Sequence, residues 1–193
     1  MPIRQNRRLL KKRRNLARRK DTDLWSLDEC HFQQHGSRVA MWVPPEEMDP
    51  IVLLAPTRKS VSLFGAVNVN DGRLVTRFEK QFDAMTFKAF LIQLLRHRKK
   101  GKKIVVMLDN ARYHHAKILR EFLRANSDIL RLEFIPAYSP ELNPIERVWK
   151  VTRRLCTHNI YFQKLEQVTE SVTKQHDIWK KPNDTLRRLC CIN

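Results

Sequence analysis

Apolar positions recur along this chain in three regimes: helical spacing at the front, strand-like runs in the middle, and alternating strand and helix periods toward the end. Residues 3–19 contain no Gly or Pro, and Leu9, Leu10, Leu16 and Ala17 fall at near-helical intervals among Arg and Lys, which predicts a basic amphipathic helix. Leu24-Trp25-Ser26-Leu27 predicts a strand ending in Asp28-Glu29, and Arg38–Val43 is a second candidate strand, stopped by Pro44-Pro45. An irregular stretch follows to about Lys59. Ser60–Asn68 and Arg73–Glu79 flank Asn70-Asp71-Gly72, whose residues tolerate positive φ, so a β-hairpin is expected. Antiparallel strands therefore precede any parallel pairing.

From Asp83, a natural N-cap, Phe87, Phe90, Leu91, Leu94 and Leu95 mark one face of a helix expected to end near Gly101. Ile104–Leu108 is a continuous apolar run, as in a strand covered on both faces. A helix starting near His114, a further strand, and a helix opening at Asn143-Pro144 carry the pattern to about Tyr161. That last helix is expected to bury Ile145, Val148, Trp149, Thr152, Leu155 and Cys156, leaving Glu146, Lys150, Arg153 and Arg154 on another face. Residues 163–180 predict one more helix, with Leu165, Val168 and Val172 on one side. The order implies an α/β protein with a mixed five-stranded sheet flanked by helices.

Charge changes this picture from architecture to partner. The 193 residues suit one domain with an appended arm, and Lys and Arg outnumber Asp and Glu by 38 to 20, a net +18. Residues 1–20 hold ten Lys or Arg and no acid, so the body still carries 18 − 10 = +8. Such an excess favours nucleic acid over a neutral small molecule. No run approaches the roughly 18 apolar residues of a membrane span, and the N-terminus lacks a secretory apolar segment, so a soluble cytoplasmic protein with no membrane partner is expected. Cys30, Cys156, Cys190 and Cys191 form no CxxC pair, which fits reduced thiols. The cluster Cys30, His31, His35 lacks the regular four-ligand spacing of a structural zinc site.

Three acids are candidates for chemistry. Asp109 directly follows a buried strand, where ligands of open α/β sheets gather, although a turn or N-cap acid fits equally. Glu146 opens a helix whose polar face is basic; alternatively Asn143-Pro144-Ile145-Glu146 is a capping box. Asp28 would come from the end of the first strand. Three crowded carboxylates repel unless divalent cations neutralise them, and Mg²⁺ with its hard oxygen preference suits substrate phosphates. Two such ions could serve in-line phosphoryl transfer. Glu29 should face away from Asp28. His114 and His115 are expected as partly exposed surface, and Trp149 as core. Trp42 could stack on bases.

The segments LDECHF, RKSVSLFGAV, VVMLDNARYHHA and PAYSPELNPIERVWK resemble the catalytic domain of IS630-family transposases, within the Tc1/mariner superfamily of DDE enzymes. Asp28, Asp109 and Glu146 match the family's acids, with 146 − 109 − 1 = 36 residues between the last two. The resemblance implies an RNase H-like fold, two Mg²⁺ or Mn²⁺ ions held by those three acids, cleavage of double-stranded DNA at terminal inverted repeats, and strand transfer into TA dinucleotides. It also implies a homodimer on DNA and a prokaryotic, nucleoid-associated setting. Asn110, Tyr138, Ser139, Pro140, Asn143 and Pro144 match motif positions that shape the site, with Asn110, His114 and Asn143 as possible auxiliaries. The expected division is a basic helical arm over 1–20, a catalytic domain over 21–162 and a C-terminal helical extension over 163–193. Arg13 and Arg14 on the arm, with Arg147, Lys150, Arg153 and Arg154, are the candidate DNA contacts. The family's helix-turn-helix end-recognition part has no counterpart here and is expected as a separate or frameshift-fused piece. The alternatives are a catalytically inactive DNA-binding remnant and an RNase H-like nuclease.

Overall fold

The computed structural model describes residues 11–46, 51–136 and 142–191, so Tyr138, Ser139 and Pro140 lie outside the described residues. Five strands form one sheet in the order β3-β2-β1-β4-β5: β1 (Thr22–Gln33), β2 (Ser60–Asn68), β3 (Leu74–Glu79), β4 (Lys103–Leu108) and β5 (Leu130–Phe134). β1, β2 and β3 pair antiparallel, and β4 and β5 run parallel to β1, as the hairpin-first pattern requires. The helices are α1 (residues 11–18), α2 (Ala84–Leu95), α3 (Lys117–Ala125), α4 (Ile145–Cys156), α5 (Leu165–Trp179) and α6 (Asp184–Leu189). A 3-10 turn at Arg112–His115 precedes α3. Among the described residues no helix is long and apolar enough to cross a membrane.

Two sequence expectations for the strands change. β1 is twelve residues long, so Asp28 sits within the strand rather than at its end. Arg38–Val43 is not a strand: Val39, Met41 and Trp42 are exposed, Trp42 at 99%, so its apolar positions find no face to cover. β1 already uses both edges, pairing Thr22–Ser26 with β4 and Trp25–Gln33 with β2.

Alternation along β1 divides the core. Cys30 and Phe32 face α4 and α5, packing with Ile145, Val148, Trp149, Val168 and Val172. Trp25 and Leu27 face α2 and α3, packing with Phe87, Phe90, Leu94 and Leu119. The expected Asp83 cap forms a capping box with Thr86, but α2 ends at Leu95, short of Gly101. Leu155 is 49% exposed because α4 turns that side outward. The hairpin turn carries Gly72 at φ +75°, where a Cβ would stand 2.6 Å from Arg187 N, so α6 closes directly on the turn. The C-terminal helices thus share the core of the sheet.

The basic arm is docked where it is described. Leu16 is 7% exposed and packs with Leu24, Val105, Met107 and Ile135, while Lys12 pairs with Glu133 at 2.5 Å. Leu16→Ala should cost about 2 kcal/mol and lower Tm by roughly 4–8 °C in thermal unfolding. An unchanged Tm would mean that α1 contributes nothing to the core.

Candidate active site

Parallel pairing between β1 and β4 ends at Ser26↔Met107, so Asp28 lies two residues beyond it within β1 and Asp109 directly follows the end of β4. By strand alternation Asp28 shares the face of Ser26, which meets the start of α4. α4 brings Glu146 to the same face, close enough that its charge acts on Asp28. Burial first, then repulsion from Glu29 and Glu146, pushes the Asp28 carboxyl up to about 8. Two hydrogen bonds oppose this, one from the Glu29 backbone and one from Trp149 Nε1, which donates to Asp28 Oδ2 at 3.1 Å.

That contact depends on a missing side chain. Gly65 lies opposite Asp28 on β2, and a Cβ there would stand inside the Trp149 indole, 2.8 Å from Cζ2. Glycine therefore lets the indole lie flat on β2 and reach across to β1. The start of α4 is fixed separately. Asn143 is buried; its Nδ2 donates to Leu27 O at 3.1 Å and its Oδ1 accepts from Ser26 Oγ, which itself accepts from Ile145 N at 3.2 Å. The expected capping box at Asn143 is absent, since the side chain is spent on β1 and Pro144 occupies the N-cap position without a side-chain bond.

Asp109 is held on its other side. Its Oδ1 accepts from Ala111 N at 3.1 Å, the turn role foreseen for it, and lies 3.3 Å from His114 Nδ1. His114 is buried, not surface as expected, and its ring lies 4.3 Å from that of Phe87, tilted by 44°. Its Nε2 lies 3.4 Å from Glu29 Oε1, an ion-pair distance, and Tyr113 Oη donates to the same Glu29 oxygen. Burial works against a charged His114, but its contacts with Asp109 and Glu29 prevail and raise it to about 9. His114 in turn lowers Asp109. Glu29 faces the α2 side, away from Asp28, as strand alternation requires. Asn110 is exposed, with Oδ1 2.6 Å from His115 Nε2.

The hard oxygen donors Asp28, Asp109 and Glu146 suit a divalent cation in kind, and the mutual repulsion at Asp28 is the charge that a cation would relieve. Among the described residues, however, no three His, Cys, Asp or Glu side chains are gathered tightly enough to hold a metal, and Asp109 rests against His114. Arg147, Lys150, Arg154 and Arg14 are exposed and Arg153 is half-buried. Arg13 is buried at 2%, its Nε 2.9 Å from Met107 Sδ, so it faces the core. Burial and then Arg147 lower it to about 10.

Gly65, Ser26 and Tyr113 were not singled out by sequence, while Glu29 was expected to face away from Asp28 and Trp149 was expected as core. Alternation along β1 supplies the signal that Glu29 joins the α2 face; nothing local pairs Trp149 with Asp28.

Comparison with known proteins places this geometry. The family described as DDE superfamily endonuclease matches residues 23–169. The uncharacterized protein y4pE/y4sA of Sinorhizobium fredii is 29% identical over 119 residues, 62% of this chain and 82% of that protein. Among solved structures, the Mos1 mariner paired-end complex with Mn superposes with a TM-score of 0.67 at 18% identity, covering 94% of this chain. This chain spans only 55% of that one. The catalytic domain of Mos1 mariner transposase matches with a TM-score of 0.63 at 17% identity, covering 94% of this chain and 81% of that one. The fold is the expected RNase H-like one.

Two variants probe the Asp28 corner. Because the folded Asp28 carboxyl titrates near 8 rather than 3.8, the wild type loses stability as pH rises from about 4 to about 8, when only the unfolded chain has released its proton. Asp28→Asn keeps the Trp149 acceptor and lacks this loss. In metal-free buffer at pH 9 its Tm should exceed that of wild type by on the order of 5 °C, with no gain at pH 4. A gap independent of pH would refute the raised carboxyl. Gly65→Ala should cost about 1–3 kcal/mol by overpacking against Trp149, measured by denaturant unfolding; a neutral result would show that the indole has room to move.

Proposed function

The chain belongs to the DDE superfamily endonuclease family, and from this we propose that it is the catalytic domain of an IS630-type DNA transposase that cuts and joins DNA at transposon ends. The observation that carries the reading is Asp28, held within β1 by Trp149 with Glu146 of α4 close enough for the two charges to repel. Asp28 and Glu146 repel with no basic partner between them, and a bound cation would relieve that repulsion.

In this reading Asp28, Asp109 and Glu146 hold Mg²⁺ or Mn²⁺, two ions in all; the Mos1 complex with Mn supports a divalent metal. Bound cations would activate the attacking oxygen and stabilise the leaving one. The chain's own residues do the positioning. Trp149 fixes Asp28, Asn143 anchors the helix that bears Glu146, and His114 holds Asp109 until that carboxylate turns to join the other two. Lys150, Arg154, Arg147 and Arg14 neutralise backbone phosphates without reading sequence. We assign insertion at TA dinucleotides, action at terminal inverted repeats and pairing of two copies on DNA to the same activity. We assign recognition of the ends to a helix-turn-helix part, separate or frameshift-fused.

The test is a cleavage assay on duplex DNA carrying the element's ends, with Mg²⁺ or Mn²⁺. Wild type should nick at the ends, and Asp109→Asn and Glu146→Gln should each lose on the order of 10³-fold or more. Mg²⁺ should raise the Tm of wild type and not that of Asp28→Asn. DNA binding without cleavage under every metal condition would overturn the enzymatic reading in favour of a DNA-binding remnant.

A further inference from the structure

Beyond the carboxylates, β1 and α4 enclose a second polar feature: a pocket of about 260 Å³ lined by Phe32, Gly36, Ser37, Arg153 and Thr157, among others. No acid lines it. Arg153 is held in place, its guanidinium over the Phe32 ring at 5.6 Å and its Nη2 3.1 Å from Cys30 Sγ. These contacts orient the cation and leave its charge uncompensated, since Arg153 forms no ion pair among the described residues. The opposite wall is rigid. Gly36 takes φ +62°, and a Cβ there would lie 2.6 Å from Thr157 O, so the loop after β1 is pressed against the end of α4. Ser37 bridges to His158, and Asn159 N donates to Ser37 O at 3.0 Å.

A pre-oriented guanidinium facing a small polar cavity with a serine at its rim is suited to an oxyanion of phosphate size. Its position says which phosphate. Arg153 follows Glu146 by seven residues, ~10.5 Å along α4, and Phe32 follows Asp28 by four, ~13 Å along β1. Phosphates of one DNA strand advance about 3.4 Å each along the duplex axis. We propose that this pocket seats one backbone phosphate of DNA about three nucleotides from the bond at the carboxylates. Its placement relative to the cut rests on the transposase reading; the seat itself does not. The contact is independent of base sequence and sets the register of the strand in the groove between β1 and α4.

The test uses the full chain and a duplex oligonucleotide, with affinity measured by fluorescence anisotropy between 50 and 200 mM salt. Arg153→Gln should flatten the slope of log K against log salt by about 0.9, so that affinity falls about 3.5-fold less over that range than in wild type. Arg153→Lys should retain the slope. Ser37→Asp, which leaves Arg153 and its Cys30 and Phe32 contacts in place, should weaken binding as Arg153→Gln does. A scan of single methylphosphonate linkages then locates the seat: one neutral linkage, about three nucleotides from the cleavage position, should weaken wild type and leave Arg153→Gln unaffected. A wild-type slope in Arg153→Gln, or identical linkage profiles in both proteins, overturns the proposal. Cleavage that persists with an unchanged slope refutes the seat and spares the transposase reading; loss of slope in a chain that never cleaves does the reverse.

Discussion

The close crossing of α4 over β1 and β2 is the constraint on which the rest of the site depends. A helix carrying an indole at Trp149 can lie this near a sheet only where the sheet has no side chain, and Gly65 is that gap. The indole then replaces part of the water that Asp28 loses, donating one hydrogen bond to a carboxyl that burial and two neighbouring acids disfavour. Asn143 holds the head of the helix by bonding to Ser26 and Leu27 on the strand. Glu146 is therefore positioned by two contacts that have nothing to do with its own charge.

The charge distribution around that crossing is divided. On the α4 side, Asp28 and Glu146 repel without a basic partner; on the α2 side, Glu29 is answered by Tyr113 and His114. Asp109, directly after β4, rests its oxygen against His114. On one face of β1 the acid is answered by donors, and on the other it meets a second acid. Of the basic residues of α4, Arg147 is turned to Leu189 O and Cys191 O, and Lys150, Arg153 and Arg154 lie farther along the helix.

Much of this was readable from spacing. The hairpin at Gly72, the Asp83 cap, the buried β4 run and the opposed faces of Asp28 and Glu29 all follow from rules acting within a few residues. The failures share a cause. Arg38–Val43 has strand-like residues but no face to cover; His114 looked like surface because its partners Glu29 and Phe87 are distant in sequence. Arg13 was grouped with Arg14 as a phosphate contact, and only the docking of Leu16 shows that the two point opposite ways.

By itself the sequence determined most element types, their order and the mixed sheet, because periodicity and turn chemistry are local properties of the chain. The tertiary structure alone decided that Trp149, 121 positions from Asp28, would become its hydrogen-bond donor, and that Asn143 would serve a strand rather than its own helix. Those outcomes depend on how closely two elements approach, and that distance is set by the side chain Gly65 lacks. A core tryptophan is a correct local reading; a capping box at Asn143 is not, because that side chain is spent on the strand. Packing turned both residues toward β1.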